Sequence, residues 1–325
     1  MGTRVDFLEK RINKELQKVL AYEEPRSLFD PPVYVFSLGG KRIRPILTLM
    51  AADLFEKDIE VAINPALAIE IFHNFSLLHD DLMDKANLRR GSETVHKKWS
   101  ANTAILSGDA MVIEAYKYIS KVPHRYLPKL LEVFSDTAMD ICIGQQLDMD
   151  FEQRMDVTEE EYLNMIRLKT AVLIGCSLKL GAIVSDASAE DINALYQFGI
   201  NLGLAFQLKD DLLDVFGDFK TFGKKPGGDI LSNKKTYLLI KALKSSNEKQ
   251  KAELDKWLTA EVFDPEQKIN AVKNIYEELK LSDLVENLIE KYYLASLEYL
   301  SSISVSDARK NSLLNLSEQL MYREK

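Results

Sequence analysis

Only two cysteines occur in the 325 residues, Cys142 and Cys176, and neither CxxC nor Cys/His spacing is present. This argues against a disulfide framework or a zinc site. Both cysteines sit in apolar helical contexts and read as small buried hydrophobes. Glycine and proline are scarce, 14 and 9, and no Asn-Gly or Asp-Gly pair separates alternating segments as a tight β-hairpin would require. No apolar run approaches the roughly 18 residues of a membrane span. The start, MGTRVDFLEKRINKEL, has no signal-peptide core, and Asp6 stands where a myristoylation motif carries Ser or Thr. A cytoplasmic protein without stable membrane insertion is therefore expected. Positive charge is also in deficit: 42 Lys and Arg against 50 Asp and Glu give a net −8, which argues against nucleic acid or an anionic membrane as partner.

What is abundant is helical pattern. Hydrophobic residues form 46% and charged residues 28% of the chain, the balance of a globular protein. Val5, Leu8, Ile12, Leu16 and Val19 trace one helix stripe. Pro45 and Pro65 each suit the opening turn of an apolar helix. Thr158 and Glu161 have capping-box spacing before the long apolar run YLNMIRLKTAVLIGCSLKLGAI, and Ser188 precedes another reaching Phe216. The longest break, Gly217 to Asn233, reads as a functional loop inside one domain spanning residues 1–325. The fold class is all-α.

Two acidic clusters interrupt this pattern. LLHDDLMD ends one apolar segment and QLKDDLLD another, placing Asp80, Asp81 and Asp84, then Asp210, Asp211 and Asp214, at DDxxD spacing. On a helix, i and i+4 share a face, so Asp80 projects with Asp84 and Asp210 with Asp214, while each middle Asp lies about 100° round. Unneutralised, such sets repel, and Asp is a poor mid-helix residue. A solvated acidic surface is the bland explanation for one cluster, but two behind apolar helices suit Mg²⁺, which takes hard oxygen ligands together with substrate phosphates. Basic islands accompany them. Arg89 and Arg90 follow the first cluster, and arginine forks bind phosphate oxygens bidentately. Gly39-Gly40-Lys41-Arg42-Ile43-Arg44-Pro45 sets cations and free backbone ahead of a helix N-terminus. A site for two phosphorylated groups follows.

GGKRIRP, HDDLMD followed by RRG, GQQLDMD from Gly144 to Asp150, LKT from Leu168 to Thr170, FQLKDDLLDVFGD from Phe206, Gly223-Lys224 and NKKT from Asn233 to Thr236 occur in the order found in the trans-prenyl diphosphate synthases, and the chain resembles that family. The resemblance implies a single bundle of long antiparallel helices around a central cavity, generally dimeric, with the two aspartate motifs facing one another across its mouth. It implies condensation of isopentenyl diphosphate with an allylic diphosphate and release of diphosphate. By resemblance, Asp80, Asp84 and Asp210 are the principal ligands of about three Mg²⁺, with Asp81, Asp211 and Asp214 ligating or supporting. Arg89, Lys169, Thr170, Gln207, Lys224 and Lys234 would hold the allylic diphosphate, and Lys41, Arg44, His73 and Arg90 the isopentenyl diphosphate. Asp80, Asp84, Asp210, Arg89 and Lys169 form the catalytic set. No side chain is an obvious general base, and His79 is read as a packed neighbour of the first motif.

Product length in such enzymes depends on bulk beneath the first motif. Phe75 lies five residues before Asp80, about 7.5 Å deeper at the helical rise, and Ser76 beside it is small. A single aromatic there implies geranylgeranyl diphosphate, with farnesyl the neighbouring possibility. Two other readings share parts of the pattern: a class I terpene cyclase, which needs neither a second DDxxD nor GGKRIRP, and a non-catalytic regulatory subunit, in which degenerate acidic motifs are expected.

Overall fold

A computed structural model describes residues 4–19, 24–217 and 226–322. The chain falls into two compact units. One comprises Met1–Asp136, Cys176–Tyr196 and Ile303–Leu313, and the other Thr137–Gly175, Gln197–Ser302 and Leu314–Lys325. Both are built from helices. The β-structure among the described residues is one antiparallel ribbon, β1 (Leu88–Arg89) with β2 (Ser92–Glu93).

In the first unit, helix α1 (Arg4–Leu16) buries Leu8, Ile12 and Leu16, the stripe its sequence predicts, and Val19 is buried just beyond its end. Helices α2 (Arg26–Ser37) and α3 (Ile43–Leu54) flank the GGKR loop. At the centre lies α4 (Ile63–Met83), which packs chiefly on α6 (Ala101–Ile119), past the short α5 (Val95–Lys98). Pro45 and Pro65 each stand third in their helices, within the first turn, where a missing N–H costs nothing. Ala66, Ala68, Ile69 and Ile71 of α4 are fully enclosed. Burying each isoleucine contributes about 1.5–3 kcal/mol. By length and composition Ile59–Met83 could cross a bilayer, but most of that window is buried within the protein.

In the second unit the structure departs from an unbroken helix after Thr158. The capping box forms, with Thr158 Oγ1 accepting from the Glu161 amide at 3.2 Å and Glu161 Oε2 from the Thr158 amide at 2.8 Å. Helix α8 (Glu159–Ile166) then passes into a π-helical turn, Arg167–Ala171, before α9 (Val172–Val184). Two neighbouring glycines make room for this turn. A methyl on Gly144, in α7 (Leu127–Glu152), would stand 2.8 Å from backbone atoms of Leu168 and Lys169. One on Gly203, in α10 (Ala189–Phe216), would stand 2.7 Å from Ala171 Cα. The widened turn fills the space those missing side chains leave. Ser188 caps α10 by accepting from the Asp191 amide at 3.1 Å. Beyond the second acidic motif come the short α11 (Gly228–Leu231), then α12 (Tyr237–Ser245), and the helices Glu248–Thr259, Pro265–Glu278 and Leu281–Ser302.

Two expectations require correction. Cys176 is buried, but Cys142 is exposed, because it falls on the outward face of α7 with Met139 and Ile143. The ribbon after the first motif has no Asn-Gly turn. Arg90 and Gly91 instead both take positive φ, 52° and 76°, the conformation two-residue hairpin turns require.

Candidate active site

The first acidic motif closes α4. Asp84 is its C-cap and donates its amide to the Asp80 carbonyl at 2.8 Å. Asp84 is exposed, Asp80 is half-buried, and Asp81 turns inward to become buried. Arg89 on β1 grips Asp81 in a fork, with Nε 2.9 Å and Nη2 2.6 Å from Oδ1. In this structure the first arginine of the RRG island thus neutralises an upstream aspartate and anchors the ribbon to the helix. Arg90 reaches the other way, donating to the Gly39 carbonyl. A side chain on Gly40 would collide with its guanidinium, 2.8 Å from Nη2. The glycine pair therefore allows the two basic islands to meet.

Behind the GGKR loop is a group that sequence reasoning missed. Arg42 is buried at the N-terminus of α3 with φ 50°. It donates to Glu70 Oε1 at 2.6 Å and to the Phe36 carbonyl at 2.8 Å. Asn74 Nδ2 donates to the same Glu70 oxygen at 2.9 Å. A charge this deeply enclosed is tolerable only with such partners, so Arg42 sets the loop's path between Lys41, which is exposed, and Arg44. Arg44 lies 3.2 Å from His73 Nε2. Since a guanidinium only donates, His73 accepts there as the neutral ring protonated on Nδ1. Burial, then the Arg44 charge and its arginine neighbours, hold the His73 pKa well below the usual histidine range. His79 donates to the Ile105 carbonyl at 3.2 Å and fills the space over Gly108, a packed neighbour as its sequence context suggests.

Phe75 packs edge-on against His79 at 4.7 Å and tilted against Phe72 at 5.2 Å, and Phe72 packs in turn on Phe134 at 5.5 Å. Ser76 donates its hydroxyl to the His73 carbonyl at 2.9 Å.

The second motif, in the other unit, has a different environment. Asp211 is buried, with Oδ2 accepting from the Tyr162 hydroxyl and Oδ1 from Gln207 Nε2 at 2.9 Å. Gln207 Oε1 accepts from Thr170 Oγ1 at 3.0 Å. Lys169, next to it on the π turn, pairs with Asp148 at 2.6 Å. Asp210 and Asp214 are half-buried, and Asp214 Oδ2 accepts the Asp229 amide at 2.9 Å, fixing α11 beside the motif. Lys234 Nζ lies 4.0 Å from Asp229 Oδ1. Lys224 falls outside the described residues, as do Gly223, Asp218 and the terminal Arg323 to Lys325.

Asp148 and Asp229 were not singled out from the sequence, although GQQLDMD and the GGDI stretch contain them. Burial, reinforced by Asp211, Asp214 and Asp148 against the Lys234 charge, pushes the Asp229 carboxyl up to about 7. Among the described residues no three His, Cys, Asp or Glu side chains converge closely enough to hold a metal by themselves. Each motif, taken in its own unit, nonetheless fits a hard divalent cation that completes its shell with water and substrate phosphate. Each motif offers oxygen donors alone, and at the second one Asp211, Asp214 and Asp148 repel Asp229 despite the Lys234 charge.

A family model described as polyprenyl synthetase matches residues 25–279. A geranylgeranyl diphosphate synthase of Sulfolobus acidocaldarius is 36% identical over 319 residues, covering 97% of this chain and 96% of the relative. A geranylfarnesyl diphosphate synthase of Natronomonas pharaonis is 36% identical over 250 residues, covering 71% and 73%. A crystal structure of a geranylgeranyl pyrophosphate synthase superposes with a TM-score of 0.94 at 45% identity, covering 100% of both chains. The chain, with its all-α fold and paired aspartate motifs, belongs to the polyprenyl synthetase family of prenyltransferases.

Proposed function

We propose that the protein condenses isopentenyl diphosphate with an allylic diphosphate, giving a short all-trans prenyl diphosphate, geranylgeranyl by preference, and releasing diphosphate. The observation that carries this is the presence of two intact DDxxD motifs, each framed by cationic side chains, in a chain that matches geranylgeranyl synthases over nearly its whole length. Family membership implies dependence on a divalent metal, and Mg²⁺ is the ion this donor set suits. Asp80, Asp84 and Asp210 are assigned as its principal ligands, with Asp214 in support. Bound there, it supplies Lewis-acid stabilisation of the departing diphosphate.

Arg89, Lys169, Thr170, Gln207 and Lys234 bind and orient the allylic diphosphate, Lys224 completing the set. Lys41, Arg44 and Arg90 bind the isopentenyl diphosphate. His73, neutral and accepting from Arg44, holds that guanidinium in place without adding charge. As carbon–oxygen cleavage proceeds, negative charge grows on the leaving group, and the fixed cations Arg89 and Lys169 stabilise it where it forms. The proton lost after attack passes to the released diphosphate. Phe75, backed by Phe72, limits the growing tail, with Ser76 leaving room beside it.

Each compact unit is assembled from three separated stretches of chain, so residues 1–325 are read as one domain. A cytoplasmic homodimer completes the proposal. Ile105, Leu106 and Ile113 stand exposed on α6 and supply an apolar stripe for a second copy.

Purified protein given isopentenyl and dimethylallyl diphosphates with Mg²⁺ should release diphosphate in step with isopentenyl consumption, and chelation should abolish both. Diphosphate release from the allylic substrate without isopentenyl consumption would instead indicate a cyclase.

A further inference from the structure

Tyr162 has no role in the site as assigned, yet its hydroxyl ends inside it. The side chain is 1% exposed and its ring packs on Tyr237 at 6.1 Å between centroids. Its hydroxyl donates to Asp211 Oδ2, while Gln207 Nε2 donates to Oδ1 at 2.9 Å. Asp211 is 5% exposed, so each carboxylate oxygen is held by a protein donor in an enclosed position. That is the environment of an anchor. A hydrated ion needs room for its waters, and the middle aspartate of the second motif lacks it.

The order of donors carries the argument further. A carboxylate only accepts, so Asp211 obliges Gln207 to turn its NH₂ towards it. The Gln207 carbonyl oxygen then faces the π turn, where Thr170 Oγ1 donates to it at 3.0 Å. The donors converge on Asp211 from two sides, from the buried phenol of Tyr162 directly and from Thr170 by way of Gln207. With Tyr162 holding Oδ2, the carboxylate cannot swing to take both amide hydrogens, and the second Gln207 N–H is left to meet a phosphate oxygen.

We infer that Tyr162 is a positioning residue for diphosphate, acting through Asp211 to fix the amide of Gln207, and that Asp211 serves in this chain as an anchor and not as a metal ligand. The inference rests on the assignment of Gln207 and Thr170 to the allylic diphosphate.

The test is calorimetric titration of inorganic diphosphate with Mg²⁺ into the wild type, Tyr162→Phe, Gln207→Ala and the double variant. The loss of one hydrogen bond to a charged group predicts about tenfold weaker binding for Tyr162→Phe. Because Tyr162 acts through Gln207, the double variant should bind no more weakly than Gln207→Ala alone, whereas independent effects would multiply. In steady state, Tyr162→Phe should raise the KM for the allylic substrate and leave that for isopentenyl diphosphate unchanged, a split that general loosening of the fold would not give. Asp211→Asn, which keeps the shape but puts an NH₂ where one of the two donors points, should reproduce the loss and serves if Tyr162→Phe does not fold. Wild-type affinity in Tyr162→Phe with weakened Gln207→Ala overturns the positioning role alone, as do multiplicative losses. Wild-type affinity in Gln207→Ala overturns the allylic assignment and the inference with it.

Discussion

Replacing Gly144 by alanine should separate stability from turnover. The added methyl would collide with the Lys169 amide nitrogen and stand 2.8 Å from the Leu168 carbonyl carbon and Lys169 Cα, so even these two lie about 0.6 Å inside the 3.4 Å at which such contacts become ordinary. The obstacle is backbone, so no rotamer change relieves it, and the π turn must move. Overpacking of this kind costs about 1–3 kcal/mol, but alanine regains roughly 1 kcal/mol of helix propensity over glycine in α7, leaving a net loss of about 0–2 kcal/mol. The shifted turn carries Lys169 and Thr170, and misplacement by about 1 Å can cost about 10²-fold in rate. Gly144→Ala should therefore fold with a near-wild-type urea midpoint while losing about 10- to 100-fold in kcat/KM for the allylic substrate. Gly203→Ala, pressing on Ala171 at 2.7 Å, should behave alike. A Gly144→Ala enzyme within about twofold of wild type in kcat/KM would refute the claim that the glycine contact positions the turn.

Other consequences are equally accessible. Asp80→Ala or Asp210→Ala should lower turnover by orders of magnitude with the helical circular dichroism unchanged, and near-normal activity in either would remove the metal assignment. Phe75→Ala should lengthen the product seen by chromatography; an unchanged product would mean that another residue sets the limit. Arg42→Met leaves Glu70 buried without its cation, so unfolding should become easier by about 3–5 kcal/mol, read by urea denaturation, and isopentenyl KM should rise. His73 binds its proton less readily folded than unfolded, so the unfolded chain takes up more protons below its ordinary pKa and stability falls as pH drops. The slope contributed is at most about 1.4 kcal/mol per pH unit below about pH 6.5. His73→Gln should flatten the pH dependence of the urea midpoint between about pH 5 and 7, and an unchanged profile would contradict a buried neutral ring.

Features set by short spacing were legible in the sequence. The Thr158–Glu161 box and the Ser188 cap depend on a three-residue reach, and the α1 stripe on one helical period. Both acidic motifs announced themselves as carboxylates that a helix would not carry without a purpose. The π turn was not legible, because the room for it is left by Gly144 and Gly203, distant from Leu168 in sequence and ordinary in any local window. Arg42 looked like one more cation of a basic island, and only the fold reveals that Glu70 and Asn74 bury it. A polar pair at i and i+4 inside the apolar run of α4 was the available signal. The two middle aspartates carry the same lesson. The family resemblance read Asp81 and Asp211 as ligating or supporting, and spacing placed each about 100° round from its neighbours; the three-dimensional structure gives each to protein donors, Arg89 in one case and Tyr162 with Gln207 in the other. Asp148 and Asp229 lay in stretches already noticed, but nothing in the order of letters shows that they crowd Asp211.

The most direct test of the proposed chemistry is incubation of purified protein with Mg²⁺ and labelled isopentenyl diphosphate, offering dimethylallyl, geranyl and farnesyl diphosphates separately and resolving the dephosphorylated products by length. Label should enter products that end at geranylgeraniol. Folded protein that incorporates no label from any of the three starters would contradict the condensation outright.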